Sequence, residues 1–168
     1  MMRPISVDTR EATPQACFPR ELVASSAFLL GRLGVGIKEQ MFETFERAGF
    51  NPYHYSVLAL LDEAPRTTQV EIADALRLDR SQLVGLLDGL EERNLIERRR
   101  DPSDRRRHLV SLTPDGKRQL QSLRKLVKWI EGEIFAPLDP EERAQLHDLL
   151  LRVAGHRDPR FLPLARSV

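Results

Sequence analysis

Cysteine is almost missing from this 168-residue chain. Cys17 stands alone, which excludes an intramolecular disulfide and favours an intracellular location. Aromatic residues are scarce at 6%, with one tryptophan, Trp129. No apolar run approaches the roughly 20 residues that span a bilayer. The start, MMRPISVDTREATPQACF, lacks the apolar core of a secretory signal, so the cytoplasm is the default compartment and no membrane partner is expected. A Gly-rich phosphate loop, a nucleophile elbow, an HExxH helix and a paired His/Cys constellation are all missing, so no enzyme and no cofactor are predicted. His54, His108, His147 and His156 fall at no metal-ligand spacing, and no metal site is expected. There are no internal repeats.

A surplus of charge is also missing from the total, which is +1, but not from its distribution. Between Arg93 and Arg107 seven arginines face Glu97, Asp101 and Asp104. That is +4 in fifteen residues, so the total of +1 leaves −3 for the rest. A basic spot on a slightly acidic body is a local footprint for a polyanion, or else a solvated arginine hairpin.

The apolar pattern around that spot is helical. Residues 19–50 carry Leu22, Leu29, Leu30, Leu33, Ile37, Met41 and Phe45 at spacings of three, four and seven, as one long helix. Gly31, Gly34 and Gly36 interrupt it, either for close approach of another helix or as a weak segment. NPYHYSVLALLDEA (51–64) is a second helix. TTQVEIADALRL follows, with Thr68 and Glu71 as a capping box. DRSQLVGLLDGLEERNLI then offers Asp79 as N-cap, Gln82 as its capping-box partner, a stripe of Leu83, Leu86, Leu87 and Leu90, and Asn94 as a left-handed stop. Two short helices joined by Arg77-Leu78-Asp79 predict a helix-turn-helix. Ile96–Arg100 and Arg107–Leu112 are strand-like about the turn Asp-Pro-Ser-Asp, which makes them a wing. Thr113-Pro114 starts a further helix and Asp139-Pro140-Glu141-Glu142 the last.

The predicted fold is mainly α with a small β-hairpin. A winged helix-turn-helix DNA-binding domain at 51–112 is flanked by dimerisation helices at 19–50 and 113–156, with tails at 1–18 and 157–168.

EIADALRLDRSQLVGLLDGLEERNLIERR (71–99) and DPSDRRRHLVSLTPDGK (101–117) resemble the MarR family of bacterial transcription regulators. The second motif, Asp-x-Arg followed by an alternating strand and Leu-Thr-x-x-Gly, is the more specific. The resemblance implies an intertwined homodimer on a pseudo-palindromic operator, usually a repressor released by a small ligand or an oxidant. It places Asp104 and Arg106 at the family's wing positions, where the aspartate holds an arginine that enters the minor groove. Arg105 and Arg107 are then phosphate candidates, whereas Arg98–Arg100 read as a solvated face.

On the recognition helix, Arg80, Ser81, Gln82 and Val84 are candidates for DNA contact, with Gln82 suited to adenine and Val84 to a thymine methyl. The family often has a basic residue where Gly85 stands, so a guanine contact there is not expected. Thr68 and Gln69, at the start of the preceding helix, are candidates for phosphate. Tyr53, His54 and Trp129 are candidates for lining a pocket for a small apolar or aromatic effector, against the plainer reading as core. Cys17 reads as an inert thiol rather than an oxidant sensor. The alternative to a regulator is a winged-helix architectural DNA binder, or a protein-interaction module without an effector.

Overall fold

The computed structural model describes residues 17–102, 104 and 107–161. The chain divides into two compact units, Met1–Glu39 and Gln40–Val168. In the first, α1 (Arg20–Val23) ends at Ala24, and Ser25 Oγ accepts the Phe28 N–H at 3.3 Å. This fresh cap starts α2 (Ser26–Arg47), so the single helix expected from residue 19 is broken by a serine that competes for the backbone. The Phe18 and Phe28 rings meet edge to face at 5.4 Å, and the Arg32 guanidinium lies over Phe18. Among the described residues nothing lies within 4 Å of where a Cβ would stand at Gly31, Gly34 or Gly36.

The second unit is built on caps that the sequence announces. Asn51 caps α3 (Pro52–Glu63) by accepting the His54 N–H at 2.9 Å, and His54 Nδ1 accepts the Asn51 N–H at 3.1 Å in return. A strand absent from the sequence reading, β1 (Thr67–Thr68), comes next. Two residues are too short a run to show alternation. Thr68 then caps α4 (Gln69–Leu76) in a full capping box with Glu71. Asp79 caps α5 (Arg80–Glu92) by accepting the Gln82 N–H at 2.8 Å. No reciprocal bond returns from the Gln82 side chain, so the expected box is only half formed. Asn94 turns left-handed at φ +55 as predicted.

β2 (Ile96–Arg100) and β3 (His108–Leu112) pair antiparallel, Ile96 opposite Leu112 and Arg100 opposite His108, and β3 also pairs with β1. The wing is therefore the larger part of a three-stranded sheet. Arg107, expected in the strand, belongs to the turn: its N–H donates to Asp104 O at 2.9 Å, and its carbonyl accepts the Asp101 N–H at 3.0 Å.

Helices α6 (Pro114–Ile134) and α7 (Pro140–Arg157) follow, capped by Thr113 and Asp139, and a 3-10 turn occupies Pro159–Phe161. At the start of α6, Thr113 Oγ1 donates to Asn94 O at 2.6 Å and accepts the Gly116 N–H at 2.9 Å. A Cβ on Gly116 would stand 1.9 Å from Leu95 O. This close approach is the physical content of the Leu-Thr-x-x-Gly spacing, because only glycine lets α6 lie against the end of the α5–β2 loop.

One core joins these elements. Phe45, Val57, Leu58, Leu61, Ile72, Leu83, Leu87, Leu90, Ile96, Val110, Leu120, Leu123 and Ile130 are all buried. Each such side chain contributes about 2 kcal/mol of transfer free energy. Among the described residues no helix is long and apolar enough to cross a membrane.

Candidate nucleic-acid interface

The leucine stripe of α5 fixes which side of that helix faces outward. Leu83, Leu86, Leu87 and Leu90 are all buried, and the opposite side presents Arg80, Ser81, Gln82, Val84 and Gly85 to solvent. Val84 is 44% exposed, an apolar side chain left where burial does not require it. The predicted contact residues of this helix therefore share one accessible surface at its N-terminal half.

Their chemistry differs in availability. Ser81 Oγ donates to Asp79 Oδ1 at 2.6 Å, which ties the hydroxyl to the cap. That bond, followed by the Gln82 N–H, holds the Asp79 carboxyl below its ordinary range. The Gln82 amide makes no hydrogen bond among the described residues and keeps two donors and an acceptor for a base edge. Arg80 likewise has no carboxylate partner among them.

At the start of α4 lies a cleft of about 280 Å³ lined by Thr68, Gln69, Val70, Glu71, Arg107 and His108. The sequence candidates Thr68, Gln69 and Arg107 thus meet, although 38 residues separate the last two. The Thr68 hydroxyl is used within the capping box, donating to Glu71 Oε2 at 2.7 Å, and the Thr68 N–H donates to the same oxygen at 2.7 Å. These bonds, the backbone one foremost, lower the Glu71 pKa, and Arg107 adds to the effect. What the cleft offers an anion is the start of α4, where first-turn N–H groups lack intrahelical partners, together with the Arg107 guanidinium. The Glu71 carboxylate opposes this. His108 was not among the sequence candidates; its place directly after the second arginine triplet was the signal.

The arginine-rich stretch divides by role. Arg98, expected on a solvated face, is not there: its side chain is only 22% exposed. Nη2 lies 2.7 Å from Asp88 Oδ1, and Nε donates to Glu91 Oε2 at 2.9 Å. The hydrogen bond to Glu91 is the main cause of the raised Arg98 pKa, and the same bond lowers that of Glu91. Burial of Ile96 and Val110 on this sheet face draws Arg98 inward, where the α5 acids meet it. Arg93 stacks on the Phe50 ring at 3.7 Å and donates to Gly49 O at 2.8 Å. Arg99 reaches Glu97 at 2.9 Å yet stays 77% exposed. Arg107 lies 3.8 Å from Asp104. Arg105 and Arg106, the wing-tip candidates, lie outside the described residues.

The effector candidates are less united. Tyr53 packs edge-on against Phe42, and His54 is committed to the α3 cap through Nδ1. Burial, then Arg93, lowers the His54 pKa and keeps that nitrogen an acceptor. Trp129 on α6 is 55% exposed and makes no aromatic contact among the described residues. Cys17 is exposed.

Known proteins share this arrangement. The MarR family model matches residues 50–108. A protein of Thauera aromatica, named as a transcriptional regulatory protein for the hcr operon, is 31% identical over 141 residues, 79% of this chain and 84% of its own length. The repressor CouR bound to a 23-mer DNA duplex is 33% identical, with 83% of this chain and 99% of that one superposed at a TM-score of 0.73. CouR from Rhodococcus jostii RHA1 bound to p-coumaroyl-CoA is 34% identical, with 81% and 96% covered at a TM-score of 0.65. With a wing, a recognition helix and relatives of this similarity, the chain belongs to the MarR family, whose members regulate transcription and are not enzymes.

Proposed function

We propose that this chain acts in the cytoplasm as a homodimeric repressor on a pseudo-palindromic operator and is released by a small apolar or aromatic effector. The observation that carries the DNA reading is the exposed face of α5 with an unengaged Gln82 amide, and the cleft that joins the α4 start to Arg107 adds to it. Gln82 and Val84 read base edges in the major groove. Arg80, Gln69, Arg105 and Arg107 hold phosphates, and Arg106 enters the minor groove, with Asp104 orienting it.

Dimerisation is supported by apolar side chains left exposed on the terminal helices: Leu22, Leu29, Leu30 and Leu33 in the first unit, Leu149, Leu150 and Val153 on α7 in the second. Two recognition helices would then enter major grooves about 34 Å apart. The effector reading draws on CouR, which is bound to p-coumaroyl-CoA in one structure and to DNA in another. Here Tyr53 and Trp129 are the aromatic surfaces assigned to an effector, and His54 has only Nε2 left for one.

Fluorescence anisotropy with DNA from upstream of the protein's own gene, at several salt concentrations and beside a scrambled duplex, tests the proposal. Preference for the native duplex, weakened in Arg106→Ala, is expected. Equal binding to both duplexes would favour an architectural role, and no binding at low salt a protein-interaction module.

A further inference from the structure

The wing sheet has two faces, and only one is used by the fold. Ile96, Arg98 and Val110 face inward. Glu97 and Arg99 on β2, opposite Ser111 and Leu109 on β3, alternate to the outer face. With Arg66, Arg100 and Pro102 they line a cleft of about 200 Å³. Three guanidinium groups border it against one carboxylate, Glu97, which Arg99 already engages. Among the described residues neither the Arg66 nor the Arg100 side chain has a hydrogen-bonding or ionic partner.

Arg66 is the informative member. Its φ is +64, a conformation in which a side chain is strained and which glycine or asparagine tolerates best. Three non-glycine residues among those described have positive φ. Asn94 is a favoured type, and Arg77 uses its side chain on Asp158 at 3.3 Å. Of these three, Arg66 bears the strain with no partner for its charge among the described residues. A side chain kept at such a position without an internal partner points to an external one.

We infer that this cleft, through Arg66, Arg99 and Arg100, is a second phosphate-contact surface for the backbone of the same duplex, beyond the segment held by α5. The inference rests on the DNA-binding reading above. Charge complementarity favours this occupant, and so does continuity. Thr68, which lines the inner cleft, is paired with Leu109, which lines the outer one, so the two clefts flank a single strand pairing. Arg100 and Pro102 lead from this face directly into the wing turn. A duplex followed outward from the inner cleft therefore meets further positive charge with no base-reading group, the pattern of contacts that add affinity without sequence preference.

The test compares a duplex of the binding site alone with the same site extended by ten base pairs of arbitrary sequence at each end. Both lengths are also made in scrambled form. Wild type should bind the longer duplexes several-fold more tightly, with a salt slope steeper by about one for each phosphate gained. Arg66→Asn combined with Arg100→Gln should lose that gain and keep its affinity for the short site. Arg66→Asn alone should not lower the melting midpoint, because asparagine relieves the backbone, so a fall in affinity cannot be ascribed to misfolding. Equal affinity of wild type for both lengths, or a length gain that survives in the double variant, overturns the inference. Failure of the operator reading would appear separately, as no preference for site over scramble, while the length comparison stays readable on the scrambled pair.

Discussion

Arg98 on β2 and Glu91 on α5 are joined side chain to side chain, with Arg98 Nε 2.9 Å from Glu91 Oε2, and the Arg98 N–H also donates to Glu91 Oε1 at 3.1 Å. The pair ties the wing to α5. Arg98→Met should lower stability by about 1 kcal/mol, a modest figure because the acids remain substantially exposed. Urea denaturation measures it. The Glu91 pKa is depressed in the folded state, so its contribution is present above the ordinary glutamate range and is lost as pH falls through the folded value. The Met variant should lose less stability on acidification than wild type.

Gly116 and Gly85 should respond oppositely to alanine. At Gly116 the added Cβ would meet Leu95 O, and a loss of about 3 kcal/mol is expected. At Gly85 nothing lies within 4 Å, and alanine in this helix interior should stabilise by about 0.5–1 kcal/mol. Paired thermal melts decide this, and similar effects at the two sites would contradict the packing described.

His54 makes stability depend on pH near neutrality. Its cap requires an unprotonated Nδ1, and burial lowers its pKa from 6.5. The unfolded chain therefore takes up a proton first. The contribution is complete above about pH 6.5 and disappears as pH falls through the lower folded value. His54→Gln, which can serve the same capping box, should flatten the melting midpoint between pH 8 and 5.5 relative to wild type.

The turn of the helix-turn-helix is held from the far end of the chain. Arg160 donates to Ala75 O at 3.2 Å, and Asp158 bridges Arg160 and Arg77. The Arg160 side chain foremost holds the Asp158 carboxyl down to about 2, so this bridge stays ionised through the physiological range. Arg160→Ala should speed amide exchange at Arg77 and Leu78 several-fold while leaving α6 protection unchanged. Equal exchange at Arg77 and Leu78 in the variant and in wild type would show that the clasp holds nothing.

Most of this architecture was legible because its signals are local. The Thr68–Glu71 box, the Asp79 cap, the leucine stripe of α5 and the Asn94 stop each lie within one helical turn or a few residues. What escaped depends on distant partners. The two-residue β1 exists only because β3 pairs with it, Arg98 is drawn inward by acids seven and ten residues earlier, and Arg160 finds a helix end 85 residues away. The site was legible as a set of residue types. That the Ser81 hydroxyl would be spent on Asp79 while the Gln82 amide stayed available is seen only in the folded chain.

The central claim is that α5 reads bases while α4, the wing and its arginines hold the backbone. Selection of binding sites from a random duplex pool, carried out in parallel with wild type and Gln82→Ala, tests it most directly. The account predicts that wild type enriches an inverted repeat with half-sites one helical turn apart, and that Gln82→Ala loses preference at one base pair in each half-site while keeping the rest. Enrichment of no sequence, or an identical motif from both proteins, would contradict it.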